Sequence, residues 1–395
     1  MASSTAAAAA AAAAAAITPT TAFTAAPAAP TTSAATVTPT APFTHEFVCP
    51  PAGGVVDASR LAPGVAGLLA SIAAAGPPVD PGSVSVATRR KLLHNFIMTH
   101  GGDLAPLPRI EDVAIEVSTP RSGGPSRSLA LRLYYPAIPA AGGGVGAPGY
   151  LLCHGGGWHA GSLTTHDNLC RRLAAGSGCV FASLDYRLAP EAPVPAGVED
   201  AVAAYDWLAA AGAARGVDPT RLGLAGDSGG ATIVTAACAQ LCARHLAAPG
   251  SGSVPPPAAL FLLYPSLDLT CSTGPSYTHF AEGYYLRTAS IRHYVSLYVG
   301  DSGRAVDDPL VSPFFTPDAT LAAFPPTAVI TAGFDPLLSD GEAFTAKLRR
   351  LGVPVAYTCF TSFIHVFAHL ASIAPEVDDA LTRMAATAAS LMRRA

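Results

Sequence analysis

The stretch Arg221-Leu222-Gly223-Leu224-Ala225-Gly226-Asp227-Ser228-Gly229-Gly230 places the pattern Gly-x-Ser-x-Gly between two kinds of regular structure. Arg221–Ala225 is a short apolar run that predicts a strand, and Gly229–His245 has the apolar spacing of a helix. A serine on a sharp strand-to-helix turn needs small neighbours, because its backbone is strained and the helix must pack close to the strand. In this context Ser228 is predicted to be a nucleophile, whereas the pattern by itself would also fit an ordinary glycine turn.

Short apolar runs alternate with amphipathic stretches on both sides of this turn. The predicted strands are Leu129–Tyr135, Tyr150–Cys153, Val180–Leu184, Arg221–Ala225, Ala259–Tyr264, Thr327–Thr331 and Val355–Phe360. The predicted helices are Thr165–Ala175, Gly197–Ala211, Gly229–His245, Asp340–Leu351 and Val377–Arg393. This alternation predicts an α/β fold with a mostly parallel central sheet and helices on both faces. In such sheets the chemistry gathers at the carboxyl ends of the strands.

The N-terminal part of the chain reads differently. Residues 1–45 form a low-complexity tail rich in Ala, Thr and Pro, without a charged side chain from Met1 to Thr44, and we expect this tail to be disordered. Two helices, Asp57–Ala75 and Ser83–His100, are predicted within an N-terminal segment spanning 46–108. The expected organisation is therefore the tail, this helical segment, and one large α/β domain over 109–395.

Composition excludes several classes of protein. Charged residues are 13 % of the chain and the net charge is −4, which provides no basic face for nucleic acid. We find no stretch of about 18 strongly apolar residues, so no transmembrane segment is predicted. The eight cysteines contain no CxxC pair and are predicted to be buried thiols, with Cys238 and Cys242 in the core. A cytoplasmic location is expected, with organelle import through the tail as the alternative.

A glycine-rich loop, His154-Gly155-Gly156-Gly157-Trp158, follows the strand Tyr150–Cys153. Glycines allow backbone N–H groups to approach a substrate oxygen, and we predict that Gly155, Gly156 and Gly229 donate to an oxyanion. A phosphate loop is not favoured, because the Lys-Ser/Thr ending of such loops is missing. His154 precedes the nucleophile and is predicted to fix the loop.

A serine hydroxyl needs an imidazole to take its proton and a carboxylate to orient that imidazole. Asp335 follows the strand Thr327–Thr331, and His365 follows the strand Val355–Phe360, so both are predicted to lie at the same sheet edge as Ser228. Asp340, at a predicted helix N-cap, is the alternative acid, and His369 is the alternative base. The His365/His369 pair lacks the Glu of HExxH, so metal binding there is not favoured and no metal is expected.

Other polar and aromatic residues are assigned to the scaffold. Asp185–Glu191 and Glu199-Asp200 are predicted to pair with one another and fix a loop. Trp158, Tyr186 and Phe363 either line a pocket or belong to the core.

Six motifs together resemble the hormone-sensitive-lipase-like carboxylesterases of the α/β-hydrolase superfamily. They are His154–Trp158 with Gly161-Ser162, Asp185–Glu191, Gly226–Gly230, Tyr264-Pro265, Gly333–Leu337 and Phe363–His365. The resemblance runs from about Leu129 to Arg393. It implies an α/β-hydrolase fold, a serine esterase with the triad Ser228, Asp335 and His365, an N-terminal helical cap within Asp57–His100, and no cofactor.

Two departures from the family pattern bear on the substrate range rather than on the reaction. The chain has Gly229, Gly230 and Ala231 where the family has Ala-Gly-Gly, and Val366 where the family has Gly. The expected substrate is a small-molecule ester with a short to medium acyl chain. Two alternatives stay open: an amidase or lactonase with the same triad, and a non-catalytic hormone-type receptor, such as the gibberellin receptors that lack the histidine. The oligomeric state is open, with a homodimer as one option.

Overall fold

The computed structural model describes residues 56–117, 127–137, 146–248 and 254–394. The described residues form an eight-stranded sheet in the order β1-β2-β4-β3-β5-β6-β7-β8. The strands are β1 Arg109–Val117, β2 Arg127–Tyr135, β3 Ala147–Cys153, β4 Val180–Asp185, β5 Val217–Asp227, β6 Leu260–Leu263, β7 Thr327–Phe334 and β8 Val355–Ile364. Strand β2 is antiparallel to β1 and to β4, and the remaining neighbours are parallel. The predicted mostly parallel sheet is confirmed.

Each predicted strand overlaps an observed one, but β1 was not predicted. Its sequence, Arg-Ile-Glu-Asp-Val-Ala-Ile-Glu-Val, has only Ile115 and Val117 buried. Strand β1 lies at the edge of the sheet and pairs with β2 alone. An edge strand with charged residues on its exposed positions has a weak apolar signal, which is why the sequence pattern did not reveal it.

Each predicted helix overlaps an observed one, but three observed helices were not predicted: Ser276–His279, Thr288–Val299 and Asp318–Leu321. The observed helices are α1 Pro63–Ala74, α2 Val86–His100, α3 Asp167–Ser177, α4 Ala196–Ala211, α5 Gly229–Ala247, α6 Ser276–His279, α7 Thr288–Val299, α8 Asp318–Leu321, α9 Leu338–Arg350 and α10 Glu376–Arg394. Short 3-10 turns are Ala58–Arg60, Pro81–Ser83, Gly212–Arg215, Pro313–Phe315 and Phe367–His369. Helix α1 begins later than predicted, because Pro63 favours the first helical position. No helix in the described residues is long and apolar enough to cross a bilayer.

Helices cover both faces of the sheet, as predicted. Leu151 of β3 is buried in the core that includes residues of α4 and α5. Tyr150 and Leu152, on the opposite face of the same strand, are buried in the core that includes residues of α3 and α10. The Tyr150 hydroxyl donates a hydrogen bond to the carbonyl of Ala388 in α10 at 2.9 Å. Coverage on both faces explains why the parallel strands read as continuous apolar runs.

The buried-thiol prediction holds for most cysteines. Those buried are Cys153, Cys170, Cys179, Cys238, Cys242 and Cys359, while Cys271 is partly exposed. The Cys238 and Cys242 sulfurs are 4.0 Å apart on α5. Cys49 and the tail 1–45 lie outside the described residues, and the division at 46–108 and 109–395 stays a prediction.

Because β3, β5, β7 and β8 run parallel, their carboxyl ends lie on the same side of the sheet. Strands β3, β5, β7 and β8 end at Cys153, Asp227, Phe334 and Ile364. The residues that follow them are the start of the glycine loop, Ser228, Asp335 and His365. The topology therefore gathers segments that are far apart in the chain.

Candidate active site

Ser228 lies on the sharp turn between β5 and α5. Its backbone has φ 51° and ψ −121°, a strained conformation for a residue other than glycine. A Cβ atom on Gly230 would lie 2.0 Å from the carbonyl oxygen of Cys153, and one on Gly226 would lie 2.6 Å from the carbonyl oxygen of Gly230. Both glycines are thus required by close backbone approach, as the sequence predicted.

The three predicted triad residues meet. Ser228 Oγ lies 2.8 Å from His365 Nε2. His365 Nδ1 lies 2.7 Å from Asp335 Oδ2, and Asp335 Oδ1 accepts the backbone N–H of Leu337 at 2.9 Å. All three side chains are buried, and Ser228 is the most accessible at 9 %. A carboxylate that accepts from Nδ1 leaves Nε2 free to accept the serine proton.

The conformation of the glycine loop contradicts one of the three predicted oxyanion donors. The N–H of Gly155 donates to Asp227 Oδ1 at 2.8 Å, so it is already engaged, and the prediction of Gly155 as a donor is wrong. Within the described residues, the N–H groups of Gly156, Gly157 and Gly229 have no hydrogen-bond partner. Gly156 and Gly157 have φ values of 124° and 59°, which glycine adopts without strain.

Asp227, the residue before the nucleophile, is a buried carboxylate that the sequence reasoning did not assign to the site. Its Oδ1 lies 3.1 Å and its Oδ2 3.2 Å from His166 Nε2, and its Oδ2 lies 3.7 Å from His369 Nε2. Burial by itself raises the pKa of Asp227, but the imidazoles of His166 and His369 outweigh burial and hold this pKa well below its usual range. Asp227 is therefore a carboxylate that fixes the start of the glycine loop through Gly155.

A cavity of about 440 Å³ leads to Ser228. Helices α1 and α2 form part of its wall, with apolar side chains such as Leu68 and Phe96. Val366, directly after His365, also lines the cavity and has φ 62°, an unfavourable conformation for a β-branched residue. Mostly apolar walls with a few polar groups are typical of a site for a small organic ligand.

The alternative acid and base lie elsewhere. Asp340 is buried, and its Oδ2 accepts the N–H groups of Leu267 and Asp268 at 2.8 and 3.0 Å, so it fixes a neighbouring loop. The prediction that Asp340 is an N-cap is wrong, because α9 begins earlier, at Leu338, and Leu337 is the N-cap. His369 faces Asp227 rather than the serine hydroxyl.

The aromatic residues singled out in the sequence have different positions. His154 Nδ1 lies 2.9 Å from the Gly155 carbonyl, and its ring stacks on Tyr186 at 4.4 Å, in keeping with a loop-fixing role. Trp158 lines the cavity. Tyr186 does not line it, because its hydroxyl is buried and donates to the carbonyl of His154 at 2.7 Å. Phe363 stacks on Phe367 and borders a separate groove.

The predicted charged scaffold is present. Arg187 donates to the buried carboxylate of Asp200 at 2.9 Å and lies 3.3 Å from Glu199. Arg90 of α2 donates to both carboxylate oxygens of Glu191 at 2.9 and 2.7 Å, and also to the carbonyl of His159 at 2.7 Å. These contacts tie α2 to the loop that carries the glycines.

A serine on a strand-to-helix turn, bonded to a histidine that an acid orients, defines the class of serine hydrolases built on a parallel sheet. A family model described as the alpha/beta hydrolase fold matches residues 150–369. The carboxylic ester hydrolase LipN of Mycobacterium tuberculosis is 37 % identical over 67 % of this chain and 67 % of its own length. The esterase LipI of the same organism is 34 % identical over 70 % of this chain and 81 % of its own.

Solved structures are similar over most of the chain. An esterase from Pyrobaculum calidifontis is 31 % identical with a TM-score of 0.71, covering 84 % of this chain and 98 % of its own. A thermostable esterase from Pseudomonas putida is 27 % identical with a TM-score of 0.72, covering 83 % and 97 %. The chain belongs to the α/β-hydrolase fold family, in its hormone-sensitive-lipase-like branch.

Proposed function

We propose that this protein hydrolyses small carboxylic esters through an acyl-enzyme intermediate, with Ser228 as the nucleophile. The observation that carries this proposal is the pair of contacts around His365, 2.8 Å to Ser228 Oγ and 2.7 Å to Asp335 Oδ2. The relatives and structural neighbours named as esterases or ester hydrolases support ester cleavage as the reaction class. None of these names favours the receptor alternative.

In the first step Ser228 Oγ attacks the ester carbonyl carbon while His365 Nε2 takes the hydroxyl proton. Asp335 stays ionised and stabilises the resulting imidazolium. His365 then donates the proton to the departing alcohol oxygen, which leaves an ester between Ser228 and the acyl group. In the second step water, deprotonated by His365, releases the acid and restores the serine.

The negative charge that develops on the carbonyl oxygen needs preorganised donors. Three amides that line the same cavity as Ser228 support this role, because those of Gly156, Gly157 and Gly229 have no partner among the described residues. Gly229 also begins helix α5, whose N-terminal dipole favours an anion. Gly157 takes the place that the sequence analysis gave to Gly155.

The cavity supports a substrate of modest size. Its volume of about 440 Å³ lies in the lower half of the range of about 300–1,000 Å³ for small-molecule sites. Side chains of α1 and α2 close one side of it, and Val366 narrows it beside the base. We therefore expect short to medium acyl chains to be cleaved faster than long ones.

A fluorophosphonate probe tests whether the serine is activated. The wild-type protein is expected to be labelled at Ser228, with the site located by peptide mass spectrometry, and Ser228→Ala is expected to remain unlabelled. A protein of the receptor type would leave the probe unreacted although Ser228 is present. Labelling confined to any other residue would overturn the assignment of Ser228.

A panel of p-nitrophenyl esters from acetate to laurate tests the reaction and the acyl range together. Turnover should be measurable with wild type, and kcat should fall by on the order of 10⁶ in Ser228→Ala. Equal kcat/KM from acetate to laurate would contradict the acyl-length part of the proposal without affecting the triad. Matched anilides and lactones in the same assay rank ester against amide and lactone cleavage.

A further inference from the structure

A second group of imidazole and carboxylate side chains lies beside the triad, and the proposed reaction does not use it as acid or base. It consists of His166, Asp227 and His369, whose possible ligand atoms all lie within 4.8 Å of one another. All three residues are buried, with exposures of 1 %, 1 % and 4 %. Two imidazoles and one carboxylate are a donor set that Zn²⁺ accepts in proteins.

Two of the three separations are close to those around one small ion, and all three ligand atoms lie within 4.8 Å of one another, so a small shift of the imidazoles would complete the site. Bonds of about 2.0–2.2 Å at tetrahedral angles place two ligand atoms about 3.3–3.6 Å apart. Asp227 Oδ2 lies 3.2 Å from His166 Nε2 and 3.7 Å from His369 Nε2, so the two distances bracket this value. The N–H of Gly155 donates to Asp227 Oδ1 at 2.8 Å and, at the longer distance of 3.2 Å, to His166 Nε2. When Oδ2 and Nε2 bind the ion, the shorter contact to Oδ1 can stay and the longer one is given up.

His369 supplies an independent indication of a ligand. Its Nε2 is buried and lacks a hydrogen-bond partner among the described residues, although it points toward the Asp227 carboxylate. Buried polar atoms in proteins are nearly always paired, so an unpaired one next to a carboxylate needs a physical reason. An ion bound to Asp227 would supply the partner that His369 Nε2 lacks.

Thr165 can orient His166 for this role. His166 must carry its proton on Nδ1 when Nε2 binds an ion, and Thr165 Oγ1 lies 2.9 Å from Nδ1. The Thr165 hydroxyl can then direct its own proton to the carbonyl of Ser162, also at 2.9 Å. Such outer partners fix the tautomer of metal-binding histidines.

We propose that His166 Nε2, Asp227 Oδ2 and His369 Nε2 bind one zinc-type divalent cation. The three residues line the same cavity as Ser228, so the ion enters through the substrate opening and keeps a fourth position open to water. Binding itself does not depend on the proposed reaction.

The test begins with binding alone. The full chain is stripped with a chelator and titrated with ZnCl₂ in competition with a chromophoric zinc indicator. One tight equivalent is expected for wild type, and the affinity should fall by at least about 10–100-fold in His369→Asn and in His166→Asn. His94→Asn, which removes an exposed histidine on α2, is the matched control and should keep the wild-type affinity.

Two further readouts locate the ion at these three residues. Co²⁺ added to wild type should give visible ligand-field bands that disappear in His166→Asn, and circular dichroism melting checks that each variant folds. His365→Gln should keep the zinc affinity, because the ion does not bind the triad.

The outcomes are decisive in both directions. Zinc affinity retained in both His369→Asn and His166→Asn, or lost in His365→Gln, would place the ion elsewhere and overturn the proposal. Absence of a tight equivalent in wild type, or of cobalt bands, would overturn it as well, whatever the esterase assay shows.

Discussion

Two aspartate–histidine groups flank Ser228, and only one of them faces its hydroxyl. In the first, Asp335 holds His365 Nδ1 and the opposite nitrogen lies 2.8 Å from Ser228 Oγ. In the second, Asp227 contacts His166, whose opposite nitrogen lies 2.9 Å from Thr165 Oγ1. The Thr165 oxygen is already bonded to both the N–H and the carbonyl of Ser162.

The difference between the two groups shows that an aspartate and a histidine in contact are not sufficient to make a catalytic base. An imidazole held by a carboxylate acts as a base only where its other nitrogen meets a hydroxyl that can reach a substrate. The Thr165 hydroxyl is tied into a turn, whereas Ser228 lies at the cavity. The first group is therefore the proposed catalytic one, and the second holds the N–H of Gly155 and forms the proposed ion site.

Removing one histidine from each group should give the largest contrast between them. His365→Gln should lower kcat by on the order of 10⁶, because the serine loses its base. His369→Gln should stay within about two orders of magnitude of wild type, because it touches no reacting atom. Steady-state kinetics with p-nitrophenyl acetate measures both, and equal losses would mean that the two groups are not distinct.

Removing one charge from each group should give a smaller contrast. Asp335→Asn is expected to lower kcat by about 10⁴-fold, since the amide favours the wrong histidine tautomer. In Asp227→Asn an amide oxygen can still accept the N–H of Gly155, so the expected loss is smaller by at least about tenfold. A larger effect on kcat in Asp227→Asn than in Asp335→Asn would reverse the assignment.

The cavity wall next to the base offers a prediction about specificity. Val366→Gly removes a side chain from the cavity wall, so bulkier acyl groups should fit. It also relieves a backbone strain of about 1–3 kcal/mol at the positive φ of this residue. The ratio of kcat/KM for hexanoate over acetate should rise by about tenfold. Val84→Ala shortens another wall side chain without a positive φ and is the matched control; an equal shift there would show that volume alone matters.

The smallest expected effect is on the pH dependence of the free energy of unfolding. It comes from His154, whose ring lies 5.4 Å from that of His166 in the second group. Burial, together with the neighbouring His166, lowers the pKa of His154 from its ordinary 6.5 to about 3. Between these values the unfolded chain binds a proton that the folded chain does not, so stability is greatest above pH 6.5 and falls as the pH falls.

The slope contributed by His154 is up to about 1.4 kcal/mol per pH unit in this window. Urea unfolding at pH 7.0, 6.0 and 5.0 measures it, and the stability advantage of wild type over His154→Gln should shrink as the pH falls. An advantage that stays constant would contradict a buried neutral imidazole.

The sequence predicted the sheet and the proximity of the three proposed catalytic residues because both depend on local signals. Apolar runs mark the strands, and parallel strand ends must share an edge, so Ser228, Asp335 and His365 could be placed together without coordinates. The α/β fold and the family are confirmed by the comparisons.

The finer geometry could not be predicted, because it depends on contacts between distant segments. Three successive glycines look alike in a sequence, and only the loop conformation shows that the N–H of Gly155 faces Asp227. The role of Asp227 was missed for the same reason, since His166 and His369 are 61 and 142 residues away. The prediction missed strand β1 because the charged residues at its exposed positions weaken the apolar pattern of a strand.

The order of the strands along the chain has a consequence for synthesis of the protein. The nucleophile directly follows β5, whereas the base follows β8, the last strand in chain order of the described sheet. A partly translated chain therefore carries a serine without its histidine. Ser228 can be activated only once the chain has been synthesised past His365.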